Sequence, residues 1–425
     1  MEYIELSRSL TDGSGFTGAD GSPELYRTPG YPVVLAAIQP WRSMARYYLA
    51  VWAGFALVMG TALSLWVGVR RVSGLSRARV AVGLLLLQPA VLVHGMHFGT
   101  DGLFMFLVAA ASAAMMGGLR AALAPAVGCG VLLGCAVLVR PIGLAVFVPM
   151  LLAASLLGLR ARHRTHRRAA IAFVVAACIL PTAWTIRNGL SGGFWGVSKT
   201  GMSFISSVYG TDGSLGERHA YNESVFDHRG LRAAVGDVLS SVANSPIAVA
   251  TTMVRGAAMT LLGPGEWAMR AHYLGDCGSR YRSNPSIHYV LRSQSGRLEI
   301  DSDTYRGPPE DRGALAWVLI LWSLAVTTAV YLLAARGAWR AIGSRNGRML
   351  SVVSGAMLLV LASSGYQANA RFRAPIIPLL VLAGSCCPVA GRESRVLGLL
   401  AQSHGRPRRI DEPMAEPVGN LGLME

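Results

Sequence analysis

The sequence predicts an all-α polytopic membrane protein: a helical bundle of about nine transmembrane helices, with outer-face loops and juxtamembrane amphipathic helices. Three observations carry this. Of 425 residues, 52% are hydrophobic and only 15% charged, where a soluble domain is nearer a quarter charged. The apolar residues gather into runs approaching the roughly 17–25 that cross a bilayer. The arginines collect between those runs, where charge sets orientation.

Taken in order, the predicted spans are 47–69, 80–96, 101–118, 122–139, 142–158, 169–185, 315–335, 349–365 and 374–390. Several are short and rich in Gly and Ala, which suits close helix packing. Arg70, Arg71, Arg77 and Arg79 separate the first two spans, and Arg160, Arg162, Arg164, Arg167 and Arg168 the fifth and sixth. Arg336, Arg340, Arg345 and Arg348 separate the seventh and eighth, and Arg392 and Arg395 follow the ninth. With nine spans all four clusters fall on one side, which the positive-inside rule makes cytoplasmic. The expected location is therefore a cell membrane, multi-pass, with the C-terminus cytoplasmic.

The formal charge of +16 does not predict a nucleic-acid partner, because that reading needs a basic face on a soluble fold. Lys199 is the sole lysine. The six cysteines form no CxxC and read as small packing residues.

The segment 245–263 is apolar but carries Arg255 centrally, which costs about 2.5–3.5 kcal/mol on insertion scales. It is expected in the interface, flat or dipping in. Before it, Leu231, Ala234, Val235, Val238, Leu239 and Val242 repeat at the spacing of an amphipathic surface helix. Five regions result. Residues 1–46 are a first outer loop, 47–186 six spans, 187–314 an outer region with interfacial helices, 315–390 three spans, and 391–425 a disordered cytoplasmic tail. The same parity puts the N-terminus outside although residues 1–45 are polar, so a further helix is expected upstream of Met1.

The outer ends of the spans then share an unusual set of side chains. Glu24, Arg27 and Tyr31 precede the first span, and His94, His97 and Asp101 lie at the second turn. Arg140 joins the fourth and fifth spans, Trp184, Arg187 and Asn188 close the sixth, and Tyr366, Asn369, Arg371 and Arg373 precede the ninth. Ionisable groups at membrane depth are expensive and mark substrate paths, and guanidinium groups can hold phosphate bidentately. Each also has a plainer reading: Arg27 and Arg373 as snorkelling anchors, and Asp101 as a helix cap in "GTDG". His94 and His97 alone are too few to predict a metal.

At these residues the chain resembles a family. "YIELSRSLTDGSGF", "ELYRTPGYPVVLAA", "TDGLFMFLVAAA", "VRPIGLAVFVP", "PTAWTIRNGL" and "ANARFRAPIIPLLVLAG" follow one another as in the polytopic GT-C glycosyltransferases. The resemblance runs over almost all of 3–390 and is strongest to the dolichyl-phosphate-mannose protein mannosyltransferase and aminoarabinose lipid A transferase branch. It implies a GT-C-like bundle and an inverting transferase, with a polyprenyl phosphate sugar as donor and an acceptor glycan, lipid or protein on the outer face. No metal or other cofactor is expected, and the remaining partners are membrane lipids.

The resemblance also assigns roles. Arg27 and Arg187 match basic residues in regions that help hold the donor phosphate. Asp101 matches the position of a second acidic residue and is the candidate catalytic residue here, in an orienting role. The expected base, an aspartate about four residues before the match to Tyr3, would precede Met1. On the outer-end reading, Arg371 and Arg373 join the phosphate-binding set, and Glu24, Tyr31, His97 and Arg140 line the substrate cavity. A lipid-linked sugar transporter or flippase and a catalytically inactive paralogue are the competing readings.

Overall fold

The computed structural model describes residues 2–18, 20–95, 99–116, 123–161, 163–199, 236, 239–240, 242–262, 291–292, 299–300, 314–344, 347–363 and 373–386. The chain divides into two compact units, 1–387 and 388–425. The described residues all belong to the first.

That unit is helical. Its elements are α1 (Glu2–Thr11), α2 (Gly30–Ile38), α3 (Met44–Ser73), α4 (Leu75–Leu86), α5 (Pro89–Gly95), α6 (Thr100–Met116) and α7 (Leu123–Val139). There follow α8 (Leu144–Leu159), α9 (Arg164–Gly192), α10 (Pro246–Leu262), α11 (Ala314–Ser344), α12 (Gly347–Ser363) and α13 (Ile377–Ser385). Two two-residue strands, Leu291–Arg292 and Glu299–Ile300, pair antiparallel and are the one named sheet among the described residues.

Four segments are long and apolar enough to cross a membrane: Met44–Ser73, Pro141–Leu159, Arg164–Gly192 and Leu321–Ala341. Thr100–Met116, Leu123–Val139 and Arg348–Leu361 are shorter apolar helices. The predicted spans at these places match to within a few residues at most ends. The second does not, and of the ninth, expected over 374–390, the described residues hold a nine-residue helix, Ile377–Ser385, with 387–390 outside them. The expected continuous span 80–96 is broken, because α4 ends at Leu86 and a new helix starts at Pro89. Proline lacks the N–H that would continue the ladder and drives its predecessor out of helical geometry. Gln88, at the break, is fully buried and donates to Thr327 of α11 at 3.0 Å.

Small residues set the packing. A Cβ on Gly130 of α7 would stand 2.4 Å from the Phe173 carbonyl of α9, and one on Gly134 would stand 2.7 Å from that of Ala177. The two backbones therefore approach closer than any side chain allows, as membrane helices do where packing replaces the hydrophobic drive. The shared core runs through Leu65, Phe104, Met105, Leu133, Met150, Phe173, Met349 and Leu379. The opposite faces are also apolar: Trp52, Leu63, Leu152, Ile179, Leu332 and Met357 are exposed. Apolar surface spread over five helices is what hydrocarbon covers.

The helix ends sort in a definite way. Gly68 of α3 lies against Ala113 of α6, and Ser351 of α12 against Met115. Arg70 and Arg71 in the last turn of α3, and Arg348 at the start of α12, thus border one end of α6, while Asp101 stands at the other. Of segment 245–263, Pro246–Leu262 is helical as α10; it packs on α12 and meets α11 near its C-terminal end, through Leu261. Most of 231–242, and all of 391–425, lie outside the described residues.

Candidate functional site

The stretch from Phe16 to Tyr31 folds as a tight loop. Thr17 and Pro23 form an isolated antiparallel bridge, and the Gly18 amide donates to the Ser22 carbonyl at 2.8 Å. Asp20 Oδ1 accepts from the Ser22 amide at 3.0 Å and from its hydroxyl at 2.7 Å, the side-chain turn typical of aspartate. These bonds favour the ionised carboxyl and hold its pKa below the ordinary value. Glu24 repeats the device, with Oε1 accepting from the amides of Tyr26 at 2.6 Å and Arg27 at 3.0 Å. Its carboxylate shapes the bend that presents Arg27.

The bend is pressed onto the end of α7. Thr28 is buried and its hydroxyl donates to the Val139 carbonyl at 3.2 Å. A Cβ on Gly30 would lie 2.8 Å from backbone atoms of Leu138 and Val139, which cannot give way as a flexible side chain would. Glycine is required by this contact. Val139 precedes Arg140, which is extended (φ −146°, ψ 125°) and forms an ion pair with Asp101 in the first turn of α6. Asp101 is 2% exposed, and Arg140 also lies 6.0 Å from the Phe104 ring centroid. The PG of the loop, the RP after α7 and the TD opening α6 thus form one contiguous structure.

Arg187, near the end of α9, ties the loop from the other side. Its Nη1 donates to the Glu24 carbonyl at 2.9 Å and to Asn188 Oδ1 at 3.1 Å, and its Nη2 donates to the Phe16 carbonyl at 2.7 Å. The guanidinium stacks 4.9 Å from the Trp184 ring and 5.7 Å from Phe16. The segment after α9 closes the clamp: the Lys199 amide donates to Leu25 O at 2.9 Å, and the Ser198 hydroxyl donates to Tyr26 O. Both Nη groups of Arg187 therefore serve backbone carbonyls. The residue expected to hold phosphate acts here as a loop clamp.

Arg27 and Tyr31 face α1. The Arg27 guanidinium lies 5.7 Å from the Tyr3 ring, and Tyr3 meets Tyr31 edge-on, with centroids 5.6 Å apart. Tyr31 is buried, and burial raises its phenol pKa well above the ordinary value. The cation–π contact helps fix a half-buried cation.

Of the sequence-predicted residues, Glu24, Arg27, Tyr31, Asp101, Arg140 and Arg187 are brought together. Arg373 is joined instead to Leu261 and Tyr331. His97 and Arg371 lie outside the described residues. Among the described residues no group of three or more His, Cys, Asp or Glu side chains is placed to hold a metal. Sequence reasoning missed Phe16, Ser198, Lys199 and Tyr331; only Lys199, as the sole lysine, carried a signal.

No known protein family, curated protein or solved structure matches the chain. The family resemblance therefore rests on the quoted motifs alone.

Proposed function

We propose that the chain is a membrane glycosyltransferase that moves a sugar from a polyprenyl phosphate donor to an acceptor on the outer face of a cell membrane. The observation supporting it is the single network at one helix-end face, built from four separate stretches: 16–31, Asp101, Val139–Arg140 and 187–199. Independent lipid anchors have no reason to bond to one another through backbone carbonyls. A preorganised site does.

In this reading Arg27 is the phosphate-facing cation. Displacing a lipid phosphate from an anomeric carbon builds negative charge on the leaving oxygens, and a guanidinium held in place stabilises it without rearranging. Asp101, fixed by Arg140, orients the acceptor, whose proton leaves to a carboxylate on the opposite face of the sugar. Arg187 positions the loop that carries Arg27. The arginine-rich helix ends lie on the cytoplasmic side by the positive-inside rule.

The test is binding of a labelled polyprenyl phosphate hexose or pentose to the detergent-purified chain. Arg27→Ala should weaken it about tenfold to over a hundredfold, the equivalent of one charged hydrogen bond, with expression and insertion unchanged. Equal affinity in the variant overturns the assignment.

A lipid-linked sugar carrier is the second reading, and one observation favours it. Arg373 is fully buried beside Tyr331, midway along the span Leu321–Ala341, and carriers place ionisable groups near the bilayer midplane. Sugar transfer in detergent supports the enzyme. Transbilayer movement of the lipid in vesicles, without transfer, supports the carrier.

A further inference from the structure

Arg373 immediately precedes α13 and is 1% exposed, the largest fully buried side chain among the described residues. Its Nη1 donates to the Leu261 carbonyl at 2.8 Å. That carbonyl belongs to the last turn of α10, the negative end of the helix dipole, and also accepts the Tyr331 hydroxyl of α11. One Nη is therefore explained as a helix C-cap. The rest of the guanidinium is not: Nε and Nη2 are buried and have no hydrogen-bond partner among the described residues.

The identity of those two atoms matters. Nε–H and an Nη2–H point the same way along one edge of the planar group, and this edge takes two oxygens of a carboxylate or phosphate side by side. Thr260, beside Leu261, is also fully buried, and its hydroxyl lacks a partner too. Among the described residues no carboxylate pairs with Arg373. Leaving two charged donors unanswered in the interior is costly, and a charge at this depth is costlier still. An internal acceptor of like shape would remove the cost, and the described residues place none there.

We propose that the Nε/Nη2 edge of Arg373 is a buried oxyanion site, level with the middle of the α11 span, that seats a phosphate. The ligand approaches from within the bundle, and Tyr331 and the end of α10 hold the guanidinium so that the edge stays open. The site is a phosphate seat whether the chain is a transferase or a carrier, and it rests on the donor reading above only for the claim that the phosphate arrives on a polyprenyl lipid.

Binding to the purified full chain tests this, with three probes: a polyprenyl monophosphate, the neutral polyprenol of the same length, and inorganic phosphate. No acceptor is present, so the result is independent of turnover. The monophosphate should bind the native chain. In an Arg27→Ala background, which removes the other proposed phosphate contact, Arg373→Gln should lose the remaining binding, and Arg373→Lys, which keeps the charge without the paired edge, should weaken it about tenfold or more. Polyprenol binding should not change. Arg373-dependent binding of inorganic phosphate alone supports the site with free phosphate as its ligand. If Arg373→Gln does not fold, the lysine variant decides. Binding in Arg373→Lys equal to that of the Arg27→Ala background alone, or no binding of either phosphate probe to the native chain, overturns the proposal.

Discussion

Arg187 and Arg373 are the same residue type at two places in one bundle, and the structure treats them differently. Around Arg187 the chain supplies three acceptors, the carbonyls of Phe16 and Glu24 and the Asn188 amide oxygen, and two rings to stack on. Around Arg373 the described residues supply the Leu261 carbonyl, with the Tyr331 hydroxyl beside it, and leave the paired edge unanswered. An arginine whose donors are met by its own backbone is part of the scaffold. One whose donors are buried and unmet is, on the proposal above, open to a partner from outside. Residue type and location at a helix end do not separate these roles. The count of acceptors does.

The largest effect that would sharpen this comparison is at the ion pair joining the loop end to α6. Asp101→Ala leaves Arg140 without its partner in a nearly closed site, and breaking such a pair costs about 3–5 kcal/mol. The apparent Tm in detergent should fall steeply, and Asp101→Ala with Arg140→Gln should recover part of the loss. A double variant no better than the single would mean that Arg140 does not depend on Asp101.

A smaller effect separates clamp from ligand site. Arg187→Ala removes charged hydrogen bonds at a half-buried position, for which about 1–2 kcal/mol is expected. Amide exchange should rise within 16–28 and not in α13. Arg187→Lys should not restore protection, because a point ammonium does not span two carbonyls as a planar fork does. Unchanged exchange in 16–28 would break the contrast by showing that Arg187 is not what holds the loop.

The smallest concerns Tyr31. Burial raises its pKa in the folded chain above the ordinary value near 10. Above that value the unfolded tyrosine loses its proton while the folded one keeps it, so the folded state binds more protons and stability falls as pH rises. Below pH 10 the contribution is complete. Tyr31→Phe should remove this alkaline loss. An identical alkaline profile in the variant would place the sensitivity elsewhere.

How much of this was legible beforehand depends on the range of the interaction concerned. The membrane class and most helix limits were readable, since composition and run length are local properties that hydrocarbon enforces on every segment. The exception, the break at Leu87–Gln88, was written in Pro89 but hidden by an apolar run that continues through it. The grouping of Glu24, Arg27, Tyr31, Asp101, Arg140 and Arg187 at one set of helix ends followed from alternating the spans. Their division of labour did not, because it turns on which carbonyl each donor meets, and Phe16 and Arg187 are 171 residues apart.

The amino-acid sequence by itself determined the solvent this protein lives in, the periods of its helices and the bend at Pro29–Gly30 that opens α2. Those follow from hydrophobicity, from proline's missing N–H and from glycine's missing side chain, each acting over a few residues. Tertiary structure alone decided that Gly30 must meet the end of α7, that Asp101 belongs to Arg140, and that Arg373 is buried with one edge of its guanidinium open. Hydrogen bonds in a low-dielectric interior are directional and short, and a linear sequence carries no information about which distant carbonyl comes within 3 Å.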